Sequence, residues 1–239
     1  MRWGAALLLV AFATGCGGSG DDGEGLTVYA ASSLTEVFQE LDPGHRYNFA
    51  GSDELATQIR EGGAADLYAA ASPRYPEELR EDGLVGEPRV FATNQLVLIV
   101  PDENPRVIQT VADLGRPGTK LVIGAQGVPV GDYTRDVLAE LGLSRVLERV
   151  VSEEENVKGV VGKVALGEAD AGFVYATDAR AAGDDVRAID LPRAAAIDIR
   201  YPIAVVESTG RRDDAEAFVE RLLGPEGREA LAAAGFGLP

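Results

Sequence analysis

Extended apolar runs and amphipathic helical stretches take turns along this chain from Leu26 onward. "LTVYAA" reads as a strand and residues 34–41 as a helix. "RYNFA" leads to a helix over 52–61, and "DLYAAA" to one over 73–81 with Pro73 at its opening turn. "NQLVLIV" is a near-continuous apolar run, the pattern of a strand covered on both faces. "KLVIGA" precedes a helix over 132–141. A helix over 156–169 sets Val157, Val160, Val161 and Val164 on one face and leads to "AGFVYA". "YPIAVVE" is a further strand, and 213–234 reads as two short helices broken at "GPEG". This alternation predicts an α/β fold with mainly parallel sheets. In such sheets ligands sit at the carboxyl ends of strands, against helix N-termini.

Charge and composition narrow the function. The 239 residues carry a formal net charge of −17. That balance argues against nucleic acid and anionic membrane surfaces as partners, since both require clustered Lys and Arg. Cys16 is the one cysteine and His45 the one histidine, so neither an internal disulfide nor a Cys/His zinc site is available. The N-terminus reads as a processing segment: Arg2, a nine-residue apolar run over 5–13, then "ATGC". The run is too short to span a bilayer. Small residues before a cysteine resemble a bacterial lipobox, although Ala13 stands where Leu is commoner. The expectation is a lipoprotein signal peptide over 1–15, cleaved before Cys16, and acylation of the Cys16 thiol; an ordinary signal peptide cut near Gly15 is the alternative. Residues 16–25 then form a polar, glycine-rich tether that reaches roughly 15–18 Å as a random coil.

Four corners concentrate the candidate chemistry: "AASSLTE", "FAGSDEL", "GVPVGDY" and "SEEENVKG". The first three follow strands, and the fourth opens the helix that leads to "FVYATDA". Helix starts leave backbone N–H groups without partners. A serine there either caps the helix or turns its hydroxyl outward as a donor. Four termini of roughly +0.5 charge each would offset about two negative charges, enough for a dianion held without Lys or Arg. Ser52 is then either an ordinary cap or one jaw of a neutral anion clamp. Asp53, Asp132 and Glu153 to Glu155 are awkward beside an anion, but acids also favour helix N-termini on their own account. Taken alone, Tyr175 reads as core, Lys158 as a solvated surface charge, His45 as a loop residue and Asp66 as a structural acceptor. No "GxSxG" elbow occurs, and His45 has no evident catalytic partner.

The ordered set of segments resembles the molybdate-binding periplasmic proteins of bacterial ABC importers, within the type II periplasmic-binding-protein family. It runs from "LTVYAASSLTEVFQEL" through "NFAGSDELATQIREGGAADLYAAAS", "NQLVLIVP", "GVPVGDYTRDVLAELGL" and "ENVKGVVGKVALGEADAGFVYATDA" to "YPIAVVE" and "GFGLP". The resemblance implies that the hydroxyls of Ser33, Ser52 and Tyr175 and the backbone N–H groups of Val130 and Val157 hold the oxyanion. Molybdenum would be bound only as its oxyanion, with no direct metal ligand and no cofactor. Two departures stand out. Val130 replaces a frequent Ala, and Gly51-Ser52-Asp53 replaces a frequent run of serines.

The same resemblance implies two lobes, 26–97 with 202–239 and 98–201, joined by "NQLVLIVP" and "YPIAVVE", with the ligand in the cleft between them. The chain is then expected to be an exported monomer, anchored by lipid at Cys16, that delivers molybdate to a membrane permease. Tungstate or sulfate is the alternative cargo. An enzyme of the same architecture and a signalling receptor are the readings from other classes.

Overall fold

A computed structural model describes residues 25–195 and 197–239. The expected signal peptide, the expected acylation of Cys16 and the tether up to residue 24 therefore lie outside the described residues.

Two five-stranded sheets carry the fold. The first takes β1 (Thr27–Ala31), β2 (Arg46–Ala50), β3 (Leu67–Ala69), β4 (Arg89–Asn94) and β10 (Ile199–Val205), in the order β2-β1-β3-β10-β4. The second takes β5 (Leu96–Pro101), β6 (Leu121–Gly124), β7 (Val150–Glu154), β8 (Ala171–Tyr175) and β9 (Val186–Asp190), in the order β7-β6-β8-β5-β9. Both sheets are mixed. β1 pairs in parallel with β2 and β3, and β6 with β7 and β8. The strands next to the crossings, β5 and β10, pair antiparallel on both sides. The strand–helix alternation predicts the parallel half, while chain reversal at the crossings produces the other half.

Chain passage between the sheets is brief. β4 ends at Asn94 in the first sheet and β5 begins at Leu96 in the second, with Gln95 alone between them. The return runs over 191–198, between β9 and β10. Since β10 pairs with β3 and β4 throughout, "YPIAVVE" lies within the first sheet rather than across the hinge. The lobe boundaries accordingly fall at Gln95 and at 191–198, a few residues from those read in the sequence.

Helices cover both sheets. α1 (Thr35–Leu41), α2 (Ser52–Arg60) and α3 (Arg74–Glu81) follow β1, β2 and β3. α4 (Pro129–Glu140), α5 (Val157–Ala165) and α6 (Ala176–Ala182) follow β6, β7 and β8. α7 (Arg212–Leu223) and α8 (Pro225–Ala234) close the chain, α7 packing on β10 and α8 on α1 and α7. α4 starts three residues earlier than the sequence pattern indicates, because Pro129 takes the first helical position, where a missing N–H costs nothing. The central strands β3, β5, β6 and β8 are buried over nearly their whole length, as covered strands must be. Gly237 pairs with Thr93 in both directions at 2.8 and 2.9 Å, which fixes the terminal "GFGLP" against β4.

Candidate functional site

The first corner is a single 3-10 turn, Ser32–Leu34, between β1 and α1. Its two serines are buried. Ser33 Oγ lies 3.0 Å from Tyr201 Oη. At the second corner Gly51 precedes α2, and Ser52 is its first residue, 1% exposed. Ser52 does not cap its own helix. Its Oγ accepts from the Ala71 N–H at 3.0 Å, and its carbonyl accepts from Tyr68 Oη at 2.6 Å. Neither turn has a side-chain cap, so the cap reading of these serines does not apply.

The other lobe supplies backbone. Val130 is the second residue of α4 and Val157 the first of α5, so neither N–H has a partner inside its helix. Asn156 caps α5 by accepting from the Gly159 N–H at 3.2 Å, so that side chain is engaged one turn in and not at the Val157 N–H. Tyr175 ends β8 with its ring packed edge-on to Tyr201, the centroids 5.7 Å apart. Its hydroxyl is buried and has no hydrogen-bond partner within the protein. Burial pushes the Tyr175 phenol well above its ordinary range, so it stays a neutral donor.

Ser33, Ser52, Val130, Val157 and Tyr175 all line one small cavity of about 10 Å³ between the lobes. Ala31, Ser32, Gly51, Val128 and Pro129 complete much of its wall, and no Lys, Arg, Asp or Glu lines it. Asp53 stands outside, on the seam between the lobes. One of its oxygens is buried without a partner, and its pKa is raised, first by burial and then by Asp132 and Glu155. Gly51 makes the close approach possible here. A Cβ on it would stand 2.5 Å from the Glu155 carbonyl oxygen of the opposite lobe.

The lobes are clasped around this cavity by contacts the sequence did not reveal. Tyr75 Oη donates to the Gly127 carbonyl. Arg74 pairs with Asp132 at 3.5 Å. Lys158 Nζ reaches Glu36 at 2.8 Å, and it also stands 3.3 Å from the buried Asp178. Lys158 is therefore an ion-paired bridge rather than a solvated charge. Asn94 Nδ2 donates to Thr177 Oγ1 at 2.9 Å beside the crossing. One signal for that contact was present, since Asn94 is a polar residue opening an apolar strand run. Away from the cleft, Asp66 accepts from the Thr27 N–H and the Thr209 hydroxyl, as a structural acceptor should. His45 is half-buried, accepts from the Leu26 N–H at 3.1 Å and packs on Phe218. Among the described residues no group of three His, Cys, Asp or Glu is placed to hold a metal ion.

Two lobes that converge neutral donors on one closed cavity define a solute-binding protein. The chain belongs to the bacterial extracellular solute-binding proteins, which it matches over residues 26–237. It is 37% identical to the molybdate-binding protein ModA of Mycobacterium tuberculosis over 224 residues, 90% of this chain and 85% of that one. A solved substrate-binding domain of a putative molybdenum ABC transporter from Clostridium difficile superposes with a TM-score of 0.65 at 28% identity, covering 90% of this chain and 98% of that domain. The periplasmic molybdate-binding protein of Azotobacter vinelandii shares the fold with a TM-score of 0.80 at 23% identity, covering 90% and 99%. The chain is thus an exported binding protein and not an enzyme.

Proposed function

We propose that this protein is the substrate-binding component of a molybdate ABC import system, capturing the oxyanion between its lobes and handing it to a membrane permease. The carrying observation is the Tyr175 hydroxyl, buried, unpartnered and on the cavity wall. A buried donor without an acceptor costs about 1–3 kcal/mol, a cost that an oxyanion in the cavity removes. Ser33 and Ser52 face the same space from the first lobe, and the Val130 and Val157 amides from the second. A guest that touches both sets gains contacts only when the lobes meet, so it favours the closed form. The names of the relatives point to the same cargo.

The cavity of about 10 Å³ is about the room one water needs. A four-oxygen anion is larger, so in this reading the hinge at Gln95 and 191–198 holds the lobes slightly wider around it. Neutral dipoles suffice for a dianion at this spacing, and neither a cofactor nor a direct metal ligand is called for. The monomeric state, the lipid anchor at Cys16 and the permease belong to the same reading. They rest on the lipobox-like "ATGC" and on the transporter context of the relatives.

Titration calorimetry of the purified protein with molybdate, tungstate, sulfate and phosphate tests the reading. Tight, saturable binding of molybdate is expected, with tungstate close to it. Preference for sulfate would move the protein to the alternative cargo, and binding of none of the four would end the reading.

A further inference from the structure

Asp53 is an acid that the anion grip does not use. It follows Ser52 at the start of α2 but does not line the cavity. Its Oδ1 is buried and has no hydrogen-bond partner within the protein. A Cβ placed on Gly51 would stand 2.5 Å from the Glu155 carbonyl oxygen and 2.6 Å from Asp53 Oδ1, so these two oxygens lie within about 5 Å of each other across the seam between the lobes. A carbonyl and an ionised carboxylate both only accept, so neither can satisfy the other. One proton on Asp53 turns the two facing acceptors into a donor and an acceptor.

The groups around Asp53 favour that proton. Asp132 on α4 and Glu155 ahead of α5 face it from the second lobe, and both act against its negative charge. Glu54 follows it on α2. Tyr68 on β3 and Tyr75 on α3 stand on the first-lobe side, and burial raises both phenols, so they stay neutral. Arg74, the cation at the start of α3, is engaged by Glu78 and Asp132. The backbone N–H groups of residues 53 and 54 pull the other way, as a helix N-terminus does for a carboxylate. Burial is the largest influence, and the net result is a carboxyl held above its ordinary range.

We propose that Asp53 is a proton-coupled latch: as the lobes close, its carboxylate takes a proton from solvent and donates it in a hydrogen bond to the Glu155 carbonyl oxygen, so the protein grips its anion more tightly as pH falls. This rests on the proposed anion-binding function of the cavity, which gives the lobes their reason to close. Parting the lobes takes Asp132 and Glu155 away from Asp53 and returns water to it, while the α2 N-terminus stays beside it. The open form therefore releases the proton and the closed form retains it. The advantage to the closed form is complete below the open-form pKa and is lost as pH rises through the higher, closed-form pKa. One proton taken up changes affinity by at most about tenfold per pH unit.

Titration calorimetry of molybdate into the wild type and Asp53→Asn, at half-unit steps from pH 5 to pH 8 and in two buffers of different ionisation enthalpy, tests the latch. Thermal unfolding checks that the variant is folded. The wild type is expected to take up part of a proton on binding toward the low end of this range, read as a binding enthalpy that depends on the buffer. The asparagine amide can donate to the Glu155 carbonyl at any pH and carries no charge. Asp53→Asn should therefore bind about tenfold more tightly than the wild type at pH 8, the ratio falling toward one at pH 5. Protonation of the anion itself affects both proteins alike and cancels in that ratio. Asp53→Ser, which cannot titrate in this range either, should show a ratio to the wild type with the same pH trend, and it carries the comparison if the asparagine variant does not fold. A ratio that stays constant across the range would overturn the latch, as would a wild type with no more buffer dependence than the variants. A wild type that binds none of molybdate, tungstate, sulfate and phosphate would overturn the functional reading itself, and this is seen in the wild-type arm alone.

Discussion

Lys158 Nζ contacts both carboxylate oxygens of Glu36, at 2.8 and 2.9 Å, and the two residues belong to opposite lobes. Lys158 sits one residue after Val157, which lines the cavity, so the bridge lies beside the proposed anion grip rather than at a distant rim. The pair spans the two lobes, so it requires them to be in contact. Half-exposed pairs of this kind contribute about 0–1 kcal/mol, less at high salt. Lys158→Met is therefore expected to weaken molybdate binding about two- to fivefold at low salt, with the difference fading at 0.5 M NaCl. Calorimetry at two salt concentrations checks it; a loss that ignores salt would assign Lys158 a packing role instead.

Gly51 offers a sharper probe of closure. Its backbone, φ −62° and ψ 142°, suits any residue, and within the lobe an added Cβ would stand 2.6 Å from Asp53 Oδ1, the end of a side chain that can turn away at small cost. Across the cleft, however, the added Cβ would stand 2.5 Å from the Glu155 carbonyl, which is backbone and cannot swing aside. Gly51→Ala should leave the melting temperature of the free protein unchanged while weakening molybdate about tenfold or more, because the closed population falls. The signature is a lost ligand-induced thermal shift with an intact fold.

The sequence and the structure part company along physical lines. Runs such as "NQLVLIV", "KLVIGA" and "AGFVYA" are legible because both faces of β5, β6 and β8 are covered, so nearly every residue is apolar. β4, β7 and β9 escape the pattern, and all three are edge strands. An edge is half-exposed, and charged residues such as Arg89, Glu153 and Arg187 occupy it without cost. At the site, the corners were legible as helix starts, and the five residues carried over from the family resemblance line one cavity. The clasp was not legible. Lys158–Glu36 spans 122 residues of sequence and Asn94–Thr177 spans 83, and no local period encodes such pairs.

Tyr175 separates binding from stability. Its hydroxyl has no partner, so Tyr175→Phe removes an unsatisfied polar group and should leave the free protein as stable or slightly more so. Binding should move the other way, weaker by about 1–3 kcal/mol, the range for a hydrogen bond to a charged group. Ser52→Ala contrasts with this, because it also strips the Ala71 N–H of its acceptor and should lower both stability and affinity. Paired thermal melts and calorimetry on the two variants check the contrast. A Tyr175→Phe variant that binds molybdate as tightly as the wild type would remove that hydroxyl from the site.

Asp178 gives the protein a pH dependence of unusual sign. It is fully buried on α6, with the Lys158 ammonium 3.3 Å from its Oδ1. Burial pushes its pKa from the ordinary 3.8 up to about 6, with the Lys158 ammonium pulling it back. The folded protein thus holds this proton more tightly than the unfolded chain. The stabilisation is complete below about pH 3.8 and is lost as pH climbs through about 6. The gap is worth about 3 kcal/mol at most. Glu78, held low by its hydrogen bond from Arg74, and Asp113, held low by the Gln109 backbone N–H, act in the opposite sense. The wild-type profile mixes these effects, but its difference from Asp178→Asn isolates one of them. That variant should gain stability relative to the wild type between pH 4 and pH 6.5 and hold the gain above. Melting curves at half-unit pH intervals measure it, and a difference that stays flat across this window would mean that Asp178 keeps an ordinary pKa in the folded protein.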